Sequence, residues 1–189
     1  MDLISSAIAR WLVREQIITA DNQHLYAFAV YSLFWGLMPL FITMLLGIAL
    51  GMVKEGIAFI LPYILLRKFC GGYHLRTRRA CIFASSLVIA MSLVFIKHIA
   101  ISNSFFVLSI LVVYSVVSIY IHSPIDSKAR SLSPKEIKVF KQISHIIAII
   151  FLLLYLFFLG VGNLTIATSL GAGIIVSAML QLPCLLREE

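Results

Sequence analysis

The chain has 189 residues, 61% of them hydrophobic and only 12% charged, with a formal net charge of +7 and a mean hydropathy of +1.05. A soluble domain carries about 25% charged residues, so the polar surface here is too small to cover a soluble globule, and no stretch is left for a separate soluble domain. The positive charge sits in two short segments without the aromatic-interleaved pattern of a nucleic-acid reader.

An integral membrane protein is therefore expected, a single all-α domain over residues 1–189. A hydrocarbon core of roughly 30 Å takes about 20 apolar residues per helix, which allows four to six helices. Residues 1–24 come first. Leu3, Ile4, Ala7, Ile8, Trp11 and Leu12 recur at helical spacing and form one apolar face. Arg10, Arg14, Glu15 and Asp21 interrupt any signal-peptide core. The reading is an amphipathic helix lying in the membrane surface; a helix docked on the bundle is the other option.

The first charge-free run is Leu25–Val53, with Gly36 and Pro39 as places for a kink or division. Gly56–Leu66 follows and holds Pro62; its 11 residues cover roughly 16 Å and cannot cross alone. This second segment is either extended through Arg67 to Phe69 by snorkelling or re-entrant. Ala80–Ile96 and Ile99–Ile121 come next, then Ile143–Val161 and Leu164–Leu186. Six membrane segments are predicted, with four full spans and an embedded pair as the fallback. Ser133-Pro134 with Glu136 reads as a capped helix start, from which Lys135, Lys138 and Lys141 lead into the fifth segment.

Lysine and arginine placement gives the orientation. Segment 67–79 carries Arg67, Lys68, Arg76, Arg78 and Arg79, and segment 122–142 carries Lys128, Arg130, Lys135, Lys138 and Lys141. The turns at Lys54-Glu55, Lys97-His98 and Gly160–Asn163 are poor in positive charge. Both basic loops, and with them both termini, are expected in the cytoplasm.

The segment Arg67-Lys-Phe-Cys-Gly-Gly-Tyr-His74-Leu-Arg-Thr-Arg-Arg-Ala-Cys81 is not explained by lipid. A cysteine attacks as thiolate, and a free thiol has a pKa of about 8.5. A neighbouring imidazole and nearby positive charge both favour the thiolate. His74 supplies the first, and the arginines supply the second. Two turns of straight helix would hold His74 and Cys81 roughly 10 Å apart. Gly71-Gly72 makes an unbroken helix unfavourable. A loop folding His74 back over a helix that begins near Thr77 brings them within reach. It also sets Cys81 in the first turns of that helix, where an anion is favoured. Duller readings stand beside this one: cysteines in membrane helices are mostly inert packing, and His24, His98, His122 and His145 fit snorkelling or solvated positions. Cys70, Cys81 and Cys184 are an odd set without disulfide spacing, so thiols are expected. No tight His/Cys/Asp cluster offers zinc its ligands, and no metal or cofactor is implied.

Leu65-Leu66-Arg67-Lys68-x-x-Gly71-Gly72-Tyr73-His74, with Cys81 seven residues on, resembles the accessory gene regulator B family of bacterial membrane peptidases. Arg67, Gly72, His74 and Cys81 each match a family position. Ser123-Pro124-x-x-x-Lys128 resembles the family's Ala-Pro-x-x-x-Lys loop, although the following proline is displaced to Pro134 and Ala129 and Ser131 dilute the lysines. The resemblance implies a cysteine endopeptidase in the bacterial plasma membrane, working on a quorum-sensing propeptide at the cytoplasmic interface. Cys81 is the nucleophile and His74 the general base, with Arg67 and Gly72 in support. Cleavage removes an acidic C-terminal tail and leaves a thioester on Cys81, which a Cys or Ser of the peptide displaces to close a thiolactone or lactone. Lys128, Arg130 and Lys135 then become candidates for holding the tail.

Two rivals come from other classes. A small transporter would suit the interrupted second segment, although no Asp or Glu lies inside a span. A non-enzymatic assembly factor would suit the small residues around Gly171-Ala172-Gly173. Such residues mean close helix packing, within the chain or between copies of a homodimer.

Overall fold

The computed structural model describes residues 3–72, 77–99, 105–125 and 133–185. The chain divides into two compact units, Met1–Phe41 and Ile42–Glu189. The described residues of both are helical and include no strand.

In the first unit, α1 runs over Leu3–Arg14 and buries only the small side chains of Ser5 and Ala9. Its apolar Leu3, Ile4 and Trp11 stay exposed. A short 3-10 turn, Ala20–Asn22, follows, in which the Asn22 side-chain amide donates to Thr19 Oγ1 at 3.1 Å. α2 is a single helix over Gln23–Leu50, continuous through Gly36 and Pro39. Its 28 residues extend about 42 Å.

The second unit is built around α3 (Val53–Cys70) and α7 (Leu164–Met179). α3 is an unbroken helix through Pro62 that continues through Arg67 and Phe69 to Cys70, the extension that the sequence allowed. Phe59, Tyr63, Leu66 and Cys70 follow one face at helical spacing and are all at most 1% exposed. The surroundings of α3 are therefore largely protein, which explains why its apolar run is too short for a helix facing lipid. α7 contributes the small residues that permit this. A Cβ on Gly173 would stand 2.5 Å from the Phe59 carbonyl oxygen and 2.6 Å from Pro62 Cγ. One on Gly171 would stand 2.9 Å from Val112 and 3.1 Å from Tyr155. The small-residue stripe is thus occupied inside the chain, and a homodimer gains no support from it. Thr168, Ser169 and Ser177 return their hydroxyl protons to carbonyls one turn back, so the helix carries no unmet donor there.

α4 (Arg78–Ile99) turns Ile89, Leu93 and Ile96 inward and leaves Phe83, Leu87 and Met91 exposed. α5 (Phe105–His122) and α6 (Pro134–Gly160) are tied by a 2.7 Å hydrogen bond between Ser109 and Tyr155 and by the His145 ring stacked on Tyr120 at 4.0 Å. The Tyr120 carbonyl also accepts from His145 Nε2 at 3.0 Å. His145, expected in a snorkelling or solvated position, is partly exposed and makes these two contacts to Tyr120. α6 starts where the sequence places it: Ser133 and Glu136 form a reciprocal capping box, with Pro134 in the first turn. At about 40 Å it exceeds a 30 Å hydrocarbon core, and its exposed early lysines 135, 138 and 141 lie in the excess. The helix Leu182–Leu185 (α8) is a single turn after α7.

Among the described residues, five helical stretches are long and apolar enough to cross a membrane: Ala20–Leu50, Ala80–His98, Phe105–His122, Pro134–Gly160 and Leu164–Leu185. α3 lies outside that set, with Lys54 and Glu55 at one end and Arg67 and Lys68 at the other.

Candidate active site

α3 ends at Cys70 because the next two residues leave helical geometry: Gly71 has φ +76° and Gly72 φ +148°. Only glycine adopts such values without strain. Space imposes the same choice. A Cβ on Gly71 would lie 2.6 Å from the Ile125 carbonyl oxygen, and one on Gly72 3.2 Å from that of Leu180. The Gly pair is thus pressed against two other chain segments as it leaves α3.

A buried polar knot holds that crossing. The Cys70 carbonyl accepts from the Ile125 amide at 2.9 Å and from Gln181 Nε2 at 3.4 Å. Gln181 Nε2 also donates to Ser123 Oγ at 2.9 Å. The Cys70 thiol meets the hydroxyls of Ser123 and Ser144. Gln181 and Ser144 are fully buried. The end of α3, the segment after α5 and the end of α7 therefore converge at one end of the unit, which brings the starts of both basic segments together.

Cys81 stands at the opening of α4. The Thr77 hydroxyl accepts from the Ala80 amide at 3.4 Å and its carbonyl from the Cys81 amide at 3.0 Å, so the helix starts at Thr77 as the sequence predicts. Cys81 is partly exposed and faces a cleft of about 60 Å³ lined also by Tyr63, Arg67, Ala84, Ser85 and Leu180. Arg67 crosses to this cleft from the last turn of α3. Its guanidinium lies over the Tyr63 ring at 5.8 Å and donates to the Tyr63 hydroxyl at 3.4 Å. The last turn of α3 and the first turn of α4 thus border one cleft.

The structure thus brings together Cys81 and Arg67 and places Gly72 against Leu180, which lines the same cleft. His74 lies outside the described residues, as do Lys128 and Arg130. Lys135 is exposed in the first turn of α6. Cys70 is 1% exposed inside the knot, the setting of an inert structural thiol. Sequence reasoning missed Tyr63, Leu180 and Gln181. For Gln181 a signal existed: it is the one amide within the last apolar run, and polar groups inside a membrane segment have partners or functions.

The family profile described as accessory gene regulator B matches residues 5–185. Searches of curated proteins and of solved structures gave no match.

Proposed function

The chain belongs to the accessory gene regulator B family, membrane-associated, peptidase-like proteins consistent with quorum-sensing propeptide processing, and from that premise we propose that it is a cysteine endopeptidase that cleaves and cyclises such a propeptide. Cys81 Sγ attacks the scissile carbonyl as its proton passes to His74. The C–N bond breaks, His74 delivers the proton to the leaving amine, and the C-terminal tail departs. The signal region remains as a thioester on Cys81. A Cys thiol or Ser hydroxyl within the peptide then attacks that thioester. The C–S bond to Cys81 breaks, Sγ recovers a proton and the macrocycle leaves.

Exchange of a thioester for a thiolactone conserves bond type, so ring closure competes with hydrolysis once water is kept out. A membrane-bounded cleft of small volume is suited to that task. Arg67 stabilises charge developing at the cleft, and Gly72 permits the close crossing that leads toward His74. Lys128, Arg130 and Lys135 hold the acidic tail before it departs. In this reading both basic segments face the cytoplasm of a bacterial cell. α3 is counted as the second of six membrane segments, both termini are inside, and the amphipathic substrate arrives along the inner leaflet already oriented.

The observation that carries the proposal is the shared cleft of Cys81 and Arg67 at the N-terminus of α4. Its test is propeptide cleavage by Cys81→Ser and His74→Ala. Loss of cleavage with normal membrane insertion supports the mechanism, and normal processing by Cys81→Ser contradicts it.

A further inference from the structure

The cleft beside Cys81 shares two of its lining residues with a larger space. Val88 and Leu180, which line it, also line a second space between α4, α5 and α7, an apolar groove of about 840 Å³. Met91 and Phe95 of α4, Val107 and Leu111 of α5, and Val176 and Met179 of α7 form much of its surface. Ser92 is the single polar side chain among its described lining residues.

We propose that this groove is the acyl-side subsite: it receives apolar side chains of the substrate residues immediately N-terminal to the scissile bond, and it sets the enzyme's specificity there. The inference rests on the Cys81 peptidase reading. Once the tail has left, the acyl portion of the peptide is tethered to Sγ. The cleft of 60 Å³ is about two water molecules' share of liquid volume, too small for a large side chain. The neighbouring space, which shares Val88 and Leu180 with the cleft, lies within the roughly 300–1,000 Å³ of ordinary ligand pockets. Its lining would leave a buried carboxylate unpaired, so an acidic tail is directed to the other side of the scissile bond. Met91 and Met179 are flexible and polarizable, which lets one groove repack around different apolar side chains. A lipid acyl chain would also satisfy the walls, but the shared boundary with the Cys81 cleft favours the peptide.

The experiment uses full-length enzyme in proteoliposomes and propeptides that differ only at the residue preceding the scissile bond: Phe, Ala or Asp. Wild type should show kcat/KM at least tenfold higher for Phe than for Ala, with Asp lowest. Val88→Trp and Met179→Trp alter partly exposed positions at the end of the groove nearest Cys81. Each should narrow the groove and lower the Phe-to-Ala ratio at least tenfold. An unchanged ratio in both variants, with the Cys81 adduct still forming, overturns the groove assignment and leaves the peptidase reading intact. Absence of an adduct on wild-type Cys81 removes the reading, and the inference with it. A measurement on unaltered enzyme covers the case of unstable variants: propeptide with a diazirine leucine at that position should label Val88, Met179 or Leu180. Labelling confined to α1 or α2 overturns the inference. So does groove labelling by a diazirine phospholipid that saturating propeptide fails to displace.

Discussion

Arg67, in the last turn of α3, and Cys81, in the first turn of α4, line one cleft. The pairing places a permanent cation beside the proposed nucleophile at a helix N-terminus, where the proposed acyl transfer would develop negative charge. Loss of a single charge-stabilising donor in such a site costs about 10²–10³ in kcat. Arg67→Ala should therefore lower kcat for propeptide cleavage about a hundredfold with a smaller change in KM, and Arg67→Lys should recover part of it. Steady-state kinetics on purified enzyme decide the matter, and wild-type kcat in Arg67→Ala contradicts the role.

The Gly crossing gives a stability prediction. Ala at Gly71, where φ +76° and ψ −166° fall in a region essentially restricted to glycine, incurs about 1–3 kcal/mol of backbone strain, and its Cβ also meets the Ile125 carbonyl oxygen at 2.6 Å. Gly71→Ala should lower the thermal midpoint in detergent and reduce cleavage. Gly36→Ala, where nothing lies within 4 Å inside a helix, should be neutral or stabilising by up to about 1 kcal/mol.

Gln181 is the donor that joins α7 to the Cys70 carbonyl and to Ser123. Removing one partner from a buried polar group costs about 1–3 kcal/mol. Gln181→Leu should destabilise the enzyme by that order in a denaturant titration and lower its activity, although no residue of the cleavage chemistry has been changed. A variant as stable as wild type contradicts the structural role of the knot.

The three cysteines should divide sharply. Cys70→Ser and Cys184→Ser should keep most cleavage activity, while Cys81→Ser loses it, as read by a propeptide-processing assay in cells that make both proteins. Near-complete loss in Cys70→Ser with intact folding would move the nucleophile to α3.

Much of this architecture is visible in residue order. The capping box at Ser133, the helix start at Thr77 and the amphipathic face of α1 are local signals, decided by neighbouring residues. α3 was not legible in the same way. Its short apolar run leaves open an extension through Arg67 to Phe69 or a re-entrant segment, and the extended helix forms with Phe59, Tyr63 and Leu66 buried against protein. Likewise Gly171 and Gly173 advertise close packing without naming the partner, which proves to be α3, α5 and α6 of the same chain. The Arg67–Cys81 cleft was half legible: the motif paired the residues, but Tyr63 and Leu180 complete the walls through contacts distant in sequence.

The most direct test of the central claim is mass spectrometry of full-length enzyme quenched during turnover of its propeptide. A covalent adduct is predicted on Cys81, equal in mass to the signal portion of the peptide and released by neutral hydroxylamine as a thioester requires. It should be absent in Cys81→Ala. Cleavage that proceeds with no acyl adduct at Cys81, or with the adduct on Cys70 or Cys184, would contradict the account.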